Sequence, residues 1–136
     1  MKKKHRDNLL KLASYLETLP DDYEQFDMGE YMSERDGDCM EPLGPDEQSK
    51  PSCGTVACAV GHGPAAGIRV YGDHSWEEYA DRVFGYMSGG SFEYMFGASW
   101  SCTDNTPKGA AARIRTYLAL GHSPSGWSFD DAKVLS

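Results

Sequence analysis

The segment PSCGTVACAVGHGPAAG, residues 51–67, places two cysteines and a histidine in the most apolar part of the chain, among its smallest residues. Thiols and imidazoles can act as nucleophiles, bases or metal ligands, so chemistry is sought here first. If a helix begins near Cys53, Cys58 and His62 lie one turn apart on the same face. Cys53 lies ~140° around the helix from Cys58 and can join the pair only from before the first helical turn.

One interpretation of this segment is the active site of a cysteine hydrolase. A thiol at the start of a helix experiences the positive end of the helix dipole and free backbone N–H groups, which both favour the thiolate. Cys53 would be the nucleophile, and His62, His74 or His122 would be the general base.

A second interpretation is a zinc-stabilised module. Zinc in structural sites is held by four cysteine or histidine ligands, which usually occur as closely spaced pairs. Cys58 and His62 form one acceptable pair, whereas Cys39, Cys53 and Cys102 stand alone in the sequence. If a metal is bound, the expected ligands are Cys39, Cys53, Cys58 and His62.

We favour a third interpretation, in which the segment is interior packing. Free cysteine behaves as a small apolar residue, and the many glycines and alanines of this segment would let neighbouring helices approach closely. Cys58 would then be a core residue, His62 would form a hydrogen bond at the helix end, and Cys53 would line the boundary. The chain contains no phosphate-binding glycine loop and no dinucleotide fingerprint, so no cofactor is predicted.

The charge of the chain is concentrated in residues 17–47. This segment contains twelve acidic residues and one basic residue, Arg35, and has a net charge of −11, against −8 for the whole chain. Such a segment repels nucleic acid and anionic membrane and suits a basic protein partner. The residues predicted to bind the partner are Asp36, Asp38, Glu41, Asp46 and Glu47.

The spacing of apolar residues predicts an all-α fold of about five short helices. Repeats at three and four residues, with capping and stop residues, predict helices over residues 5–19, 53–62, 76–84, 91–96 and 107–120. The whole chain, residues 1–136, is predicted to form one helical domain. Residues 35–52 are expected to be an irregular acidic loop, and residues 122–136 a tail that docks through Trp127 and Phe129.

The N-terminal residues MKKKHRDNLLKLASYLETLP form an amphipathic pattern and not a signal peptide. No apolar run approaches the ~20 residues that a membrane helix needs. We therefore expect a cytoplasmic protein.

The order of these elements resembles that of small uncharacterised proteins of bacterial and phage genomes, which share an FDM element and a CGTxxCxxGH element. Phe26-Asp27-Met28 matches the first, and Cys53-Gly54-Thr55-Val56-Ala57-Cys58 followed by Gly61-His62 matches the second. Gly29-Glu30-Tyr31 stands where a tryptophan usually follows the FDM element. The resemblance implies a phage or mobile-element setting and supplies no functional residue, since no activity is attached to these proteins.

These observations lead to the hypothesis of a non-enzymatic interaction protein that acts in the cytoplasm of a bacterial host. It would bind a host or phage protein, and a basic or nucleic-acid-binding partner fits the acidic charge. An inhibitor of a bacterial defence system fits the size and the charge. The cysteine hydrolase and the zinc module remain the alternatives. The sequence leaves the oligomeric state open.

Overall fold

Helix α1, Lys3–Leu16, is the amphipathic N-terminal helix that the sequence predicts. A computed structural model describes residues 1–23, 26–29, 32–36, 39–42, 45, 55–85, 89–125 and 127 of the chain. The predicted leucine stripe of α1 is buried and comprises Leu9, Leu12, Ala13 and Leu16. Because this stripe packs against two later helices, α1 is the central element of the core.

Two of the later helices begin at the caps that the sequence indicates. Helix α2, Trp76–Phe84, follows Ser75, whose Oγ accepts a hydrogen bond from the backbone N–H of Glu78. Helix α4, Pro107–Leu120, follows Thr106, which accepts one from the N–H of Gly109. Each cap satisfies a backbone donor that the first helical turn leaves free.

Helix α3, Gly89–Phe96, begins two residues before the predicted start and leads into a 3-10 turn, Ala98–Cys102. Helix α4 packs against both α1 and α3, and α2 packs against α1. Trp127 of the predicted tail docks against Tyr94 and Trp100, whereas Phe129 lies outside the described residues.

The prediction of an all-α domain is confirmed, since four α-helices build a compact core. None of these helices, nor any other within the described part of the chain, is long and apolar enough to cross a membrane.

The predicted irregular loop over residues 35–52 needs correction at residues 35, 36 and 39–42, which the structure describes as strand. Strand β1, Met32–Asp36, pairs antiparallel with β2, Cys39–Pro42, and on its other side with β3, Thr55–Ala57. This small sheet has the order β2-β1-β3 and lies beside the helical core. The sequence pattern missed β1 and β2 because their residues show no alternation of apolar and polar side chains.

The predicted helix over residues 53–62 is wrong. Residues 55–57 form β3, and only a 3-10 turn, Val60–His62, is helical. Thr55 and Val56 are β-branched and favour a strand, and their backbones pair with β1. A short apolar run does not distinguish a buried strand from a buried helix, and here the pairing decides.

Candidate functional site

Phe26-Asp27-Met28, the FDM element, and the segment around Ala57 meet in the structure. Phe26 and Ala57 form an isolated parallel bridge, and the N–H of Asp27 donates to the carbonyl of Ala57 over 2.9 Å. The FDM element therefore lies along the outer side of β3, where it covers that edge of the sheet.

Asn105 fixes the FDM element to the start of α4. Its Oδ1 accepts a hydrogen bond from the N–H of Met28 at 2.6 Å, and its Nδ2 donates to Oδ1 of Asp27 at 3.3 Å. The same Asp27 oxygen accepts from the N–H of Gly29 at 2.9 Å. Sequence analysis missed Asn105, because no local pattern links residues 77 positions apart.

Cys58 and His62 lie together in the interior, as the packing interpretation predicts. Cys58 is 2% exposed and His62 is 6% exposed. Nδ1 of His62 lies 2.9 Å from the backbone carbonyl oxygen of Cys58, so that Nδ1 holds the proton and donates it. The imidazole thus contacts the backbone of Cys58 and stabilises the turn between the two residues.

The electrostatics of this pair oppose thiolate chemistry at Cys58. Burial raises the pKa of the Cys58 thiol to about 11, and burial also lowers the pKa of His62. Three aromatic rings surround the imidazole, with centroids 6.3 Å away for Tyr15, 6.1 Å for Tyr23 and 5.6 Å for Phe26. At neutral pH the thiol keeps its proton and the imidazole is uncharged.

A cavity of about 160 Å³ lies beside the FDM element. Met28, Gly29 and Cys58 line one side, and residues of α3 and the turn after it line the other, among them Phe92, Glu93 and Phe96. Most of the lining residues are apolar, and Glu93 is the acidic residue among them. The cavity suits a small apolar group, and its one thiol lacks the activation that nucleophilic catalysis needs.

The predicted zinc ligands do not all converge. Cys39 pairs with Asp36 at one end of β1. Cys58 follows Ala57, which pairs with Met32 at the other end of β1 and on its opposite side. Four residues of strand span ~13 Å, whereas two sulfurs on one zinc ion lie within ~5 Å of each other. Cys39 and Cys58 therefore cannot share an ion in this fold.

The other predicted chemical residues are dispersed. His74 and His122 are exposed at the start of α2 and after the end of α4. Among the described residues, no three histidine, cysteine or acidic side chains form a group that could hold a metal. Cys53, the predicted nucleophile, lies outside the described residues, so its role stays a prediction.

Two of the five predicted binding residues have described positions, both in the sheet. Asp36 ends β1 opposite Cys39, and Glu41 in β2 stands directly opposite Glu34 in β1. Asp38, Asp46 and Glu47 lie outside the described residues. Since β1 is the central strand, β2 is left at the edge, and among the described residues no further strand pairs with it.

Comparison of the chain with protein-family models, with curated proteins and with solved structures finds no match.

Proposed function

We propose that this chain is a non-enzymatic binding protein whose acidic segment, residues 17–47, contacts a basic surface of a protein partner. The observation that supports this most directly is the position of the acidic residues in the small sheet. Glu34 and Glu41 are direct partners across β1 and β2, with Asp36 two residues further along β1.

Like charges directly opposite each other in an antiparallel pair destabilise it, on the scale of ~0.2–1 kcal/mol per pair. Stability of the sheet therefore gives no reason for this arrangement, whereas binding of a cationic surface does. Complementary charge raises the association rate and selects the partner.

The outer edge of β2, with which no other described strand pairs, offers a second means of recognition. Backbone N–H and C=O groups along a sheet edge can pair with an extended segment of another protein. Glu41 lies in this edge strand, so backbone pairing and charge would act on the same partner.

The partner class follows from the charge. A protein surface that binds nucleic acid is rich in lysine and arginine, and carboxylates can occupy the places of phosphates on it. The resemblance to phage proteins favours a bacterial host protein as the target, and we propose that the chain inhibits a nucleic-acid-binding defence protein.

The buried Cys58 thiol, with its raised pKa, weighs against chemistry at that residue. The proposal of a hydrolase would depend on Cys53 alone, and no contact of the described residues favours it.

The test is capture of the partner from a lysate of the natural host cell, followed by its identification and by measurement of its affinity for variants. Asp36, Asp38, Glu41, Asp46 and Glu47 are replaced together by Asn or Gln, which changes the net charge of −8 to −3. We expect this variant to lose the partner at moderate salt.

The matched control changes the net charge equally at positions outside the acidic segment. Asp7→Lys, Glu77→Gln and Asp81→Lys together also add five charge units. The control should retain the partner. Equal affinity of the wild type and the fivefold variant, with both folded by circular dichroism, would contradict the proposal.

A further inference from the structure

Arg113 of α4 is a buried cation. Its side chain is 6% exposed, and its Cζ lies 4.2 Å from the ring centroid of Trp100. Its Nη1 reaches Oδ2 of Asp104 only at 3.4 Å, while the other Asp104 oxygen accepts from the Thr106 hydroxyl at 2.7 Å. The acidic partner of Arg113 is thus shared and distant.

The other two nitrogens of this guanidinium, Nε and Nη2, are buried and have no hydrogen-bond partner in the part of the chain that the structure describes. Burial lowers the pKa of Arg113 to about 10, which leaves the group charged at neutral pH. A buried charged donor without an acceptor is strongly unfavourable. The Nε–Nη2 edge of Arg113 therefore favours an oxygen ligand that accepts hydrogen bonds from both nitrogens.

Two other arginines of the same chain show what this edge binds. Arg82 donates from Nε and Nη2 to Asp73 at 3.1 Å and 2.8 Å. Arg115 donates from the same two atoms to the two oxygens of Glu17, at 2.8 Å and 2.7 Å. In both pairs the Nε–Nη2 edge forms two parallel bonds with one carboxylate, the strong bidentate geometry.

We infer that the Nε–Nη2 edge of Arg113 is a binding site for a carboxylate group. A planar carboxylate matches the two parallel donors of this edge and neutralises one charge. The indole of Trp100 holds the guanidinium in place for this contact.

Two sources can supply the carboxylate. One is the chain itself, since Asp130 and Asp131 follow Trp127 by three and four residues, and Trp127 stacks on Trp100 with centroids 6.0 Å apart. Three extended residues span up to ~10 Å, which exceeds the 6.0 Å between the ring centroids of Trp127 and Trp100. The other source is a free carboxylate ligand.

The test follows the Nε–H resonance of Arg113 by ¹H–¹⁵N NMR in the full chain. The site predicts a slowly exchanging Nε–H. If the chain supplies the ligand, Asp130→Asn with Asp131→Asn shifts this resonance and speeds its exchange at least ~10-fold, the effect of losing a charge-assisted bond. The control Asp7→Asn with Asp81→Asn, which removes the same charge elsewhere, leaves it unchanged.

Acetate is the probe for the second source. If the site takes a free carboxylate, titration of the wild type with acetate shifts the Arg113 resonance and saturates, and the Asn variants bind acetate equally. A resonance that responds neither to the Asn variants nor to acetate would overturn the proposal and leave only water at the edge.

Thermal unfolding of Arg113→Met gives a second readout. Removal of an arginine that holds a carboxylate lowers the melting temperature, because it leaves the partner unpaired. Replacement of an unpaired buried cation by an apolar side chain leaves the melting temperature unchanged or raises it. An unchanged or higher value would therefore contradict a carboxylate supplied by the chain, and the acetate titration then decides whether a free carboxylate binds.

Discussion

His62 makes the stability of the protein depend on pH in the weakly acidic range. Burial lowers its pKa in the folded state, so the unfolded chain binds more protons than the folded chain between that value and ~6.5. Stability is therefore fully present above about pH 6.5 and falls as the pH decreases, by up to about 1.4 kcal/mol per pH unit for one histidine. Urea unfolding between about pH 7.5 and 5 measures this slope.

The comparison for this measurement is His62→Gln against His122→Gln. The first should flatten the slope over this range, because no buried imidazole remains to be protonated, and the second should leave it intact, because His122 is exposed. Carboxylates with lowered pKa, such as Asp73 beside Arg82, act at lower pH. The same slope in all three proteins would show that His62 is not the group responsible.

Two cysteines, Cys58 and Cys102, should differ in reactivity. Cys58 is buried with a pKa of about 11, whereas Cys102 is exposed. Because alkylation needs an accessible thiolate, iodoacetamide at about pH 8 should modify Cys102 and spare Cys58 in the folded protein, and modify both in denaturant. Peptide mass spectrometry measures this, and equal labelling of both residues in the folded protein would show that Cys58 is open to solvent.

At the scale of single residues, the sequence predicts what local spacing controls. Cys58 and His62 are four residues apart, and one backbone turn brings them together even though no α-helix forms there. The burial of Arg113 was not predicted. Arg113 nevertheless follows the buried Ala110 by three positions and precedes the buried Ile114 by one, so the three residues lie near the same face of α4. Its contact with Trp100 depends on how two elements pack, and no local pattern contains that information.

At the scale of elements, two glycines that look alike in the sequence have opposite roles. A Cβ at Gly63 would lie 2.5 Å from the hydroxyl oxygen of Tyr79 and 2.9 Å from its Cε1. Tyr79 is fully buried in α2 and donates to the carbonyl of Ile68, so it cannot move without cost. We expect Gly63→Ala to lower the free energy of unfolding by about 1–3 kcal/mol, the cost of overpacking a core.

Gly90, in the first turn of α3, is the matched position for this test. It is exposed, and a Cβ there would meet no atom within 4 Å. Gly90→Ala should raise the unfolding free energy by about 0.4–1 kcal/mol, since alanine restricts the unfolded chain and favours the helix. Chemical denaturation of both variants measures the difference, and a neutral Gly63→Ala would mean that the turn after β3 does not pack closely against α2.

The helices that the sequence predicts correctly have a local cause. Ser75 and Thr106 accept hydrogen bonds from the backbone three residues ahead, and Gly121, with a φ of 79°, ends α4 in the left-handed conformation. The sheet has a non-local cause, because β3 pairs with β1 across more than twenty residues of chain. Sequence patterns describe the first kind of element and miss the second.

At the scale of the whole molecule, the concentration of charge sets the response of stability to salt. A net charge of −11 on residues 17–47, with Glu34 directly opposite Glu41, predicts repulsion that the folded state increases. The exposed ion pair of Arg115 with Glu17 acts in the opposite direction, but exposed pairs contribute only about 0–1 kcal/mol. Repulsion should therefore dominate, and salt should stabilise the protein.

The melting temperature should rise as NaCl increases from about 0.01 M to about 1 M, because the screening length falls from ~30 Å to ~3 Å. The variant with Asp36, Asp38, Glu41, Asp46 and Glu47 neutralised should show a smaller rise. The control with Asp7→Lys, Glu77→Gln and Asp81→Lys should keep the full rise, although its net charge is the same. A melting temperature that falls with salt would show that attractive ion pairs outweigh the repulsion within the acidic segment. An equal rise in both variants would show that the net charge controls stability, and not the concentration of charge in one segment.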